Sequence, residues 1–209
     1  MKKKVVIELP KRASEDPGSK GQMFEAEALD PIADIVVGDS ESPEAFVAQA
    51  KDADAVIVTW GIKIDQQIIS QLDKCAAIGV ASVGVDMVDV TAATEAGIVV
   101  TNVPDIFIEE VADHTIMLLL ASQRRVKRME NFIHSGQWSK GWPDLAQHPR
   151  LWGQTLGLIS FGNVARAVAR RAHVFGLRVI AYDPYVTELK MTAENVEPVS
   201  LGELLERSD

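Results

Sequence analysis

"LGLISFGNVARAVARR", residues 156–171, decides how this chain folds. A short apolar run, a turn holding Gly162 and an arginine-bearing helical pattern follow one another without a gap. In a dinucleotide turn of the form G-x-G-x-x-G/A, the first glycine makes the tight turn, the second admits a pyrophosphate to the backbone, and the third lets helix and strand pack closely. Here those positions are Ser160, Gly162 and Ala165. The second task is met and the third is met by a small residue, while the first position carries a Cβ that crowds the approach. Helical spacing sets Ala165, Val168, Ala172 and Phe175 on one face and Arg166, Arg170 and Arg171 away from it, so the helix start presents backbone N–H groups to a phosphate.

The next apolar run, "RVIAYDPY", ends at Asp183, 23 residues after Ser160. That is close to the ~20 expected for the acid that accepts from the adenosine ribose, and an acid there favours NAD over NADP because it repels a 2′-phosphate. The candidate cofactor-binding residues are therefore Ser160, Phe161, Gly162, Asn163, Val164, Asp183 and Pro184. A strand-helix-strand unit whose glycines serve packing alone fits the same residues.

Upstream, the runs "VVIEL", "DIVVG", "DAVIVTW", "AAIGVA" and "GIVVTNV" alternate with helical patterns. Short runs buried on both faces and separated by helices predict an α/β chain with parallel sheets. Ser42 before Pro43 reads as an N-cap with proline at the first helical position, and Gly97 as a helix terminator. The stretch "PKRASEDPGSKGQ", residues 10–22, reads as a surface loop. From Glu109, "EEVADHTIMLLLASQRRVKRMENFIHSG" predicts one long helix, buried in its first half, with His114 packed inside. Residues 137–153, with Trp138, Trp142 and Trp152, read as a structured loop.

Lys and Arg total 21 against 30 Asp and Glu, a formal charge of −9, which argues against nucleic acid and membrane surfaces as partners. The longest apolar segment, Ile116–Ala121, falls short of the ~20 residues of a membrane span. The single Cys75 excludes an internal disulfide, and His114, His134, His148 and His173 lack metal-ligand spacing, so no metal is expected. These features together predict a cytoplasmic protein.

The segments "GVDMVDVTAATEAGIVVTNVPD", "EEVADHTIMLLLA", "GQTLGLISFGNVARAVARRA" and "RVIAYDPY" resemble the D-isomer-specific 2-hydroxyacid dehydrogenases, nearest the branch of phosphoglycerate dehydrogenases and C-terminal-binding-protein corepressors. The resemblance implies two Rossmann-like domains: a flavodoxin-like substrate domain over 1–102 and a doubly wound NAD-binding domain over 103–209, incomplete at its C-terminus. It implies hydride transfer between NAD and a 2-hydroxy or 2-oxo acid in an interdomain cleft, with the substrate's oxygens near the amides of Val83 and Gly84. It also implies a homodimer formed through the cofactor domain, with the long helix and the tryptophans as contacts or as core.

Met87, Ser160 and Asn163 depart from the family's usual Asn, Gly and Arg. Ser160 is expected to lower NADH affinity. The family's catalytic Arg, Glu and His would follow Asp209, so no catalytic residue is assigned here. The 209 residues alone are then expected to lack turnover, and the strand pair around Ser160 and Asp183 to leave both edges open. A non-catalytic NADH-responsive binding protein, like the corepressors, is the alternative.

Overall fold

The computed structural model describes residues 2–8, 24–38 and 41–209. The stretch 10–22, read above as a surface loop, lies outside the described residues. The chain divides into two compact units, Met1–Ile106 and Phe107–Asp209.

The first unit is a parallel sheet of β1 (Lys3–Glu8), β2 (Ala33–Gly38), β3 (Ala55–Val58), β4 (Ala77–Val80) and β5 (Val99–Thr101), in the order β2-β1-β3-β4-β5. This is the flavodoxin-like winding, reversing beside β1. The helices between are α1 (Phe24–Leu29), α2 (Pro43–Ala50), α3 (Gln66–Ile69) and α4 (Val90–Glu95). Val6, Val56, Val58, Ile78 and Val80 pack with Phe46, Ile64 and Ala93 in one core cluster, while Val5, Ile7 and Ala33 enter a second. That division follows from the period of two in a strand.

Each cap has an identifiable donor. Ala45 N–H donates to Ser42 Oγ (3.1 Å), Ile68 N–H to Asp65 Oδ1 (3.0 Å) and Ala92 N–H to Asp89 Oδ1 (2.9 Å). Gly97 ends the segment after α4 at φ +74°, as a helix terminator should. At the end of β1 the carboxylate of Glu8 is fully buried, and Oε2 accepts from both Thr59 N–H and Thr59 Oγ–H at 2.6 Å.

The second unit opens with α5 (Ile108–Gln123), α6 (Val126–His134) and α7 (Trp138–Ala146). The single long helix expected from Glu109 is therefore two, broken where Arg125 takes left-handed φ +48°. The cause is tertiary. Asp144 of α7 has a nearly buried side chain and draws Arg125 Nη1 (3.3 Å) and Arg128 Nη2 (2.8 Å) toward it. The expected burial of the first half also fails, since Met117 and Leu118 are half exposed and only Ala112 and Ile116 of α5 are buried. Residues 137–153 are not simply a loop, because α7 occupies much of them, and Trp138, Trp142 and Trp152 are all exposed.

A parallel sheet of β6 (Thr155–Ile159), β7 (Arg178–Tyr182) and β8 (Glu197–Pro198) follows, in that order, with α8 (Asn163–Val174), α9 (Glu188–Thr192) and α10 (Leu201–Arg207). The expected capping box at Ser200 and Glu203 opens α10. The pair β6-β7 does not leave both edges open. The short β8 pairs with β7 at Ile180 and Ala181, and Asp209 closes the first step of the other edge, its N–H donating to Thr155 O (3.0 Å) and its Oδ2 accepting from Thr155 N–H (2.8 Å). A two-residue strand containing a proline carries too little apolar pattern to be read from sequence.

Candidate functional site

Strands β6 and β7 run parallel with Ile159 opposite Tyr182, so Ser160 and Asp183 leave the sheet side by side at its carboxyl end. Ligands bind at that end of an open α/β sheet. Ser160 N–H donates to Tyr182 O (2.7 Å) and adds one more rung to the ladder. The chain then turns with Ser160 at φ +82°, a left-handed conformation that costs a non-glycine residue about 1–2 kcal/mol. Phe161 follows with its ring buried in the unit's core and its N–H donating to Asp183 Oδ2 (2.8 Å).

Gly162 is the N-cap of α8, with φ −74° and ψ −166°, and supplies no side-chain cap. Among the described residues, and apart from its chain neighbours and its own helix backbone, no heavy atom stands within 4 Å of where its Cβ would be, so the approach at the second glycine position is open. Val164 and Ala165 pack beneath the turn, Val164 against Ala112, Ile116 and Val168. The role of the third glycine is thus carried by a methyl group, which still permits close packing. Pro184 is exposed beside Asp183.

The carboxylate of Asp183 is held from two sides. Oδ2 accepts from Phe161 N–H and, at 3.4 Å, from Ser160 Oγ–H; Oδ1 accepts from Tyr185 N–H (2.8 Å) and Val186 N–H (3.2 Å). The Phe161 amide foremost, with those of Tyr185 and Val186 and the Ser160 hydroxyl, holds this carboxyl below the usual carboxylate range. Next to it lies a crevice of about 390 Å³ lined by Tyr182, Asp183, Val186, Pro198 and Ser200.

The arginines of α8 divide their work. Arg170 and Arg171 both reach Glu109 (3.2 and 2.6 Å), and Arg171 also reaches Asp113 (2.7 Å), which clamps α8 to α5 and raises the Arg171 pKa. Arg166 instead bonds the side chain of Asn163 at the helix start.

In the first unit, Val83 and Gly84 lie in the loop after β4. This loop is fixed through its carbonyls: Ser82 Oγ–H donates to Gly84 O and Asn102 Nδ2–H to Val83 O, both at 2.7 Å. Val103 N–H donates to Ser82 O (3.1 Å). A Cβ on Gly84 would stand 2.9 Å from Asp86 Oδ2, so the glycine makes room for that carboxylate. The Met87 carbonyl accepts from Ile64 N–H (2.7 Å), a backbone role that any side chain there permits. Sequence reasoning missed Ser82, Asn102 and Asp86; the only signal was that Asn102 follows the last strand of the first unit.

Three of the four histidines, His114, His134 and His173, take ordinary positions. His114 is exposed, contrary to its expected burial, because α5 turns that face outward. His134 and His173 each have a ring nitrogen near a backbone carbonyl, of Glu130 (3.1 Å) and Glu194 (3.3 Å). Among the described residues no helix is long and apolar enough to cross a membrane.

Comparison with known proteins places this arrangement in a family. Residues 20–200 match the family described as D-isomer specific 2-hydroxyacid dehydrogenase, catalytic domain. The chain is 35% identical over 182 residues to a D-3-phosphoglycerate dehydrogenase of Methanocaldococcus jannaschii, covering 87% of this chain and 34% of that protein. It is 36% identical over 169 residues to a glyoxylate reductase of Korarchaeum cryptofilum, covering 80% and 51%. Among solved structures, a D-lactate dehydrogenase from Aquifex aeolicus complexed with NAD and lactic acid matches with a TM-score of 0.77 at 27% identity, over 98% of this chain and 58% of that one. The chain thus spans about half or less of the length of these curated relatives. It belongs to the D-isomer specific 2-hydroxyacid dehydrogenase family, whose members are oxidoreductases with NAD as cofactor.

Proposed function

We propose that this chain carries the substrate-binding domain, residues 1–102, and the first part of the NAD-binding domain, residues 103–209, of a dehydrogenase acting on a 2-hydroxy or 2-oxo acid, the compact units themselves dividing four residues later, after Ile106. The observation that carries this reading is Asp183: its carboxylate stands beside the turn, tied to Phe161 N–H, at the carboxyl end of adjacent parallel strands. Asp183 accepts from the adenosine ribose, while Gly162 and the amides of Asn163 and Val164 receive the diphosphate at the start of α8. The open space above Gly162 fits that group. Bound NAD supplies the hydride acceptor, and NADH the donor, for the substrate carbon. The amides of Val83 and Gly84 orient the acid's oxygens, with Ser82 and Asn102 holding the loop's carbonyls in place.

Calorimetric titration with NADH tests the reading. Asp183→Ala is expected to weaken binding by about tenfold or more, the worth of a charge-assisted hydrogen bond. Unchanged affinity overturns the assignment. Steady-state NADH oxidation with glyoxylate separates the two readings: turnover supports the enzyme, and NADH binding without turnover supports a non-catalytic NADH-responsive binder. The half-exposed apolar side chains Met117, Leu118 and Val126 of α5 and α6 support a homodimer contact in this unit. A cytoplasmic location agrees with this cofactor chemistry and with the lone, reduced Cys75.

A further inference from the structure

We propose that Ser160 is a built-in competitor for the ribose at Asp183. The proposal rests on the reading of Asp183 as the ribose acceptor. A carboxylate offers about four acceptor positions, and among the described residues Asp183 has four donors: the N–H groups of Phe161, Tyr185 and Val186, and the Ser160 hydroxyl. The three amides cannot withdraw without moving backbone. Phe161 is anchored by its buried ring, and Tyr185 and Val186 belong to the turn that Asp183 itself opens. The hydroxyl differs on every count. It makes the longest of the four bonds, at 3.4 Å, and it sits on a rotatable side chain at an exposed residue. An entering ribose 2′-hydroxyl therefore takes its place on Oδ2, and rotation about the Ser160 Cα–Cβ bond releases it. A glycine at this position would leave that acceptor open. The serine occupies it despite the left-handed backbone it must adopt at φ +82°. Ser160 thus tunes cofactor affinity downward through the ribose contact rather than through crowding of the diphosphate.

The test is calorimetry on wild type, Ser160→Ala and Ser160→Gly, each titrated with NADH and with its analogue carrying 2′-deoxyadenosine. Ser160→Ala keeps the Cβ and the backbone strain and removes only the hydroxyl; Ser160→Gly guards against a variant that folds poorly. Both substitutions are expected to tighten NADH binding by about threefold, the worth of one weak hydrogen bond, and to leave the deoxy analogue's affinity unchanged. A gain equal for both ligands, or unchanged or weaker NADH binding in Ser160→Ala, overturns the competition while leaving the cofactor site intact. If no variant binds NADH at all, the cofactor-site reading itself falls, and this proposal with it.

Discussion

Asp183 has a consequence that can be read by acid titration. Its folded-state pKa is lowered by the amides of Phe161, Tyr185 and Val186 and by the Ser160 hydroxyl, so it contributes stability above the unfolded carboxylate value near pH 4. That contribution is lost as pH falls through the lower, folded value. Urea denaturation at pH 7 and again near pH 3 is expected to show a smaller loss of stability on acidification for Asp183→Asn than for wild type; equal losses contradict the hydrogen-bond account. At the other loop, the Asp86 carboxylate lies against Gly84, where we propose the substrate anion binds. Asp86→Asn is expected to tighten glyoxylate binding about two- to threefold at low ionic strength, with the gain fading in salt. The place of Asp183 at the end of β7 was legible because strand, turn, helix and strand fix its spacing along the chain. Ser82, Asn102 and Asp86 were not, because their roles depend on which carbonyl or glycine a distant turn brings beside them.

Among the elements, the strands of the first unit and the unit β6-α8-β7 could be read in advance, since a continuous apolar run bounded by turn residues carries its own period. The break between α5 and α6 could not. The apolar stripe continues at helical spacing through Val126, Met129 and Ile133, and the interruption is set by Asp144. Asp144→Ala is accordingly expected to cost about 1–2 kcal/mol in chemical denaturation, kept modest because its arginine partners are well exposed to solvent. Gly176, after α8, has φ +74°, and a Cβ there would stand 2.3 Å from the Trp152 indole. The exposed indole can swing aside, so the cost of Gly176→Ala is mainly conformational, about 1–2 kcal/mol, with the Trp152 emission changed. A neutral effect on both would contradict the contact.

At the scale of the whole molecule, composition argued against some partners but specified none. An acidic chain with no long apolar helix among the described residues leaves metabolic chemistry open, and the reading offered came from a strand-turn-helix and an acid in register. What composition left unread was where apolar surface would remain uncovered, since burial depends on what packs against a face and not on its hydropathy. Leu118→Glu, on that uncovered face, is expected to lower the sedimentation-derived mass if the unit self-associates through α5. An unchanged mass would contradict the proposed contact through α5.

The central claim is that Asp183 grips an unphosphorylated ribose, and the competition between the two natural dinucleotides measures it most directly. Titration of this chain with NADH and NADPH in matched buffer is predicted to give NADH the tighter binding, by about tenfold or more, with Asp183→Ser narrowing the gap. Equal affinity, or a preference for NADPH, would contradict the account.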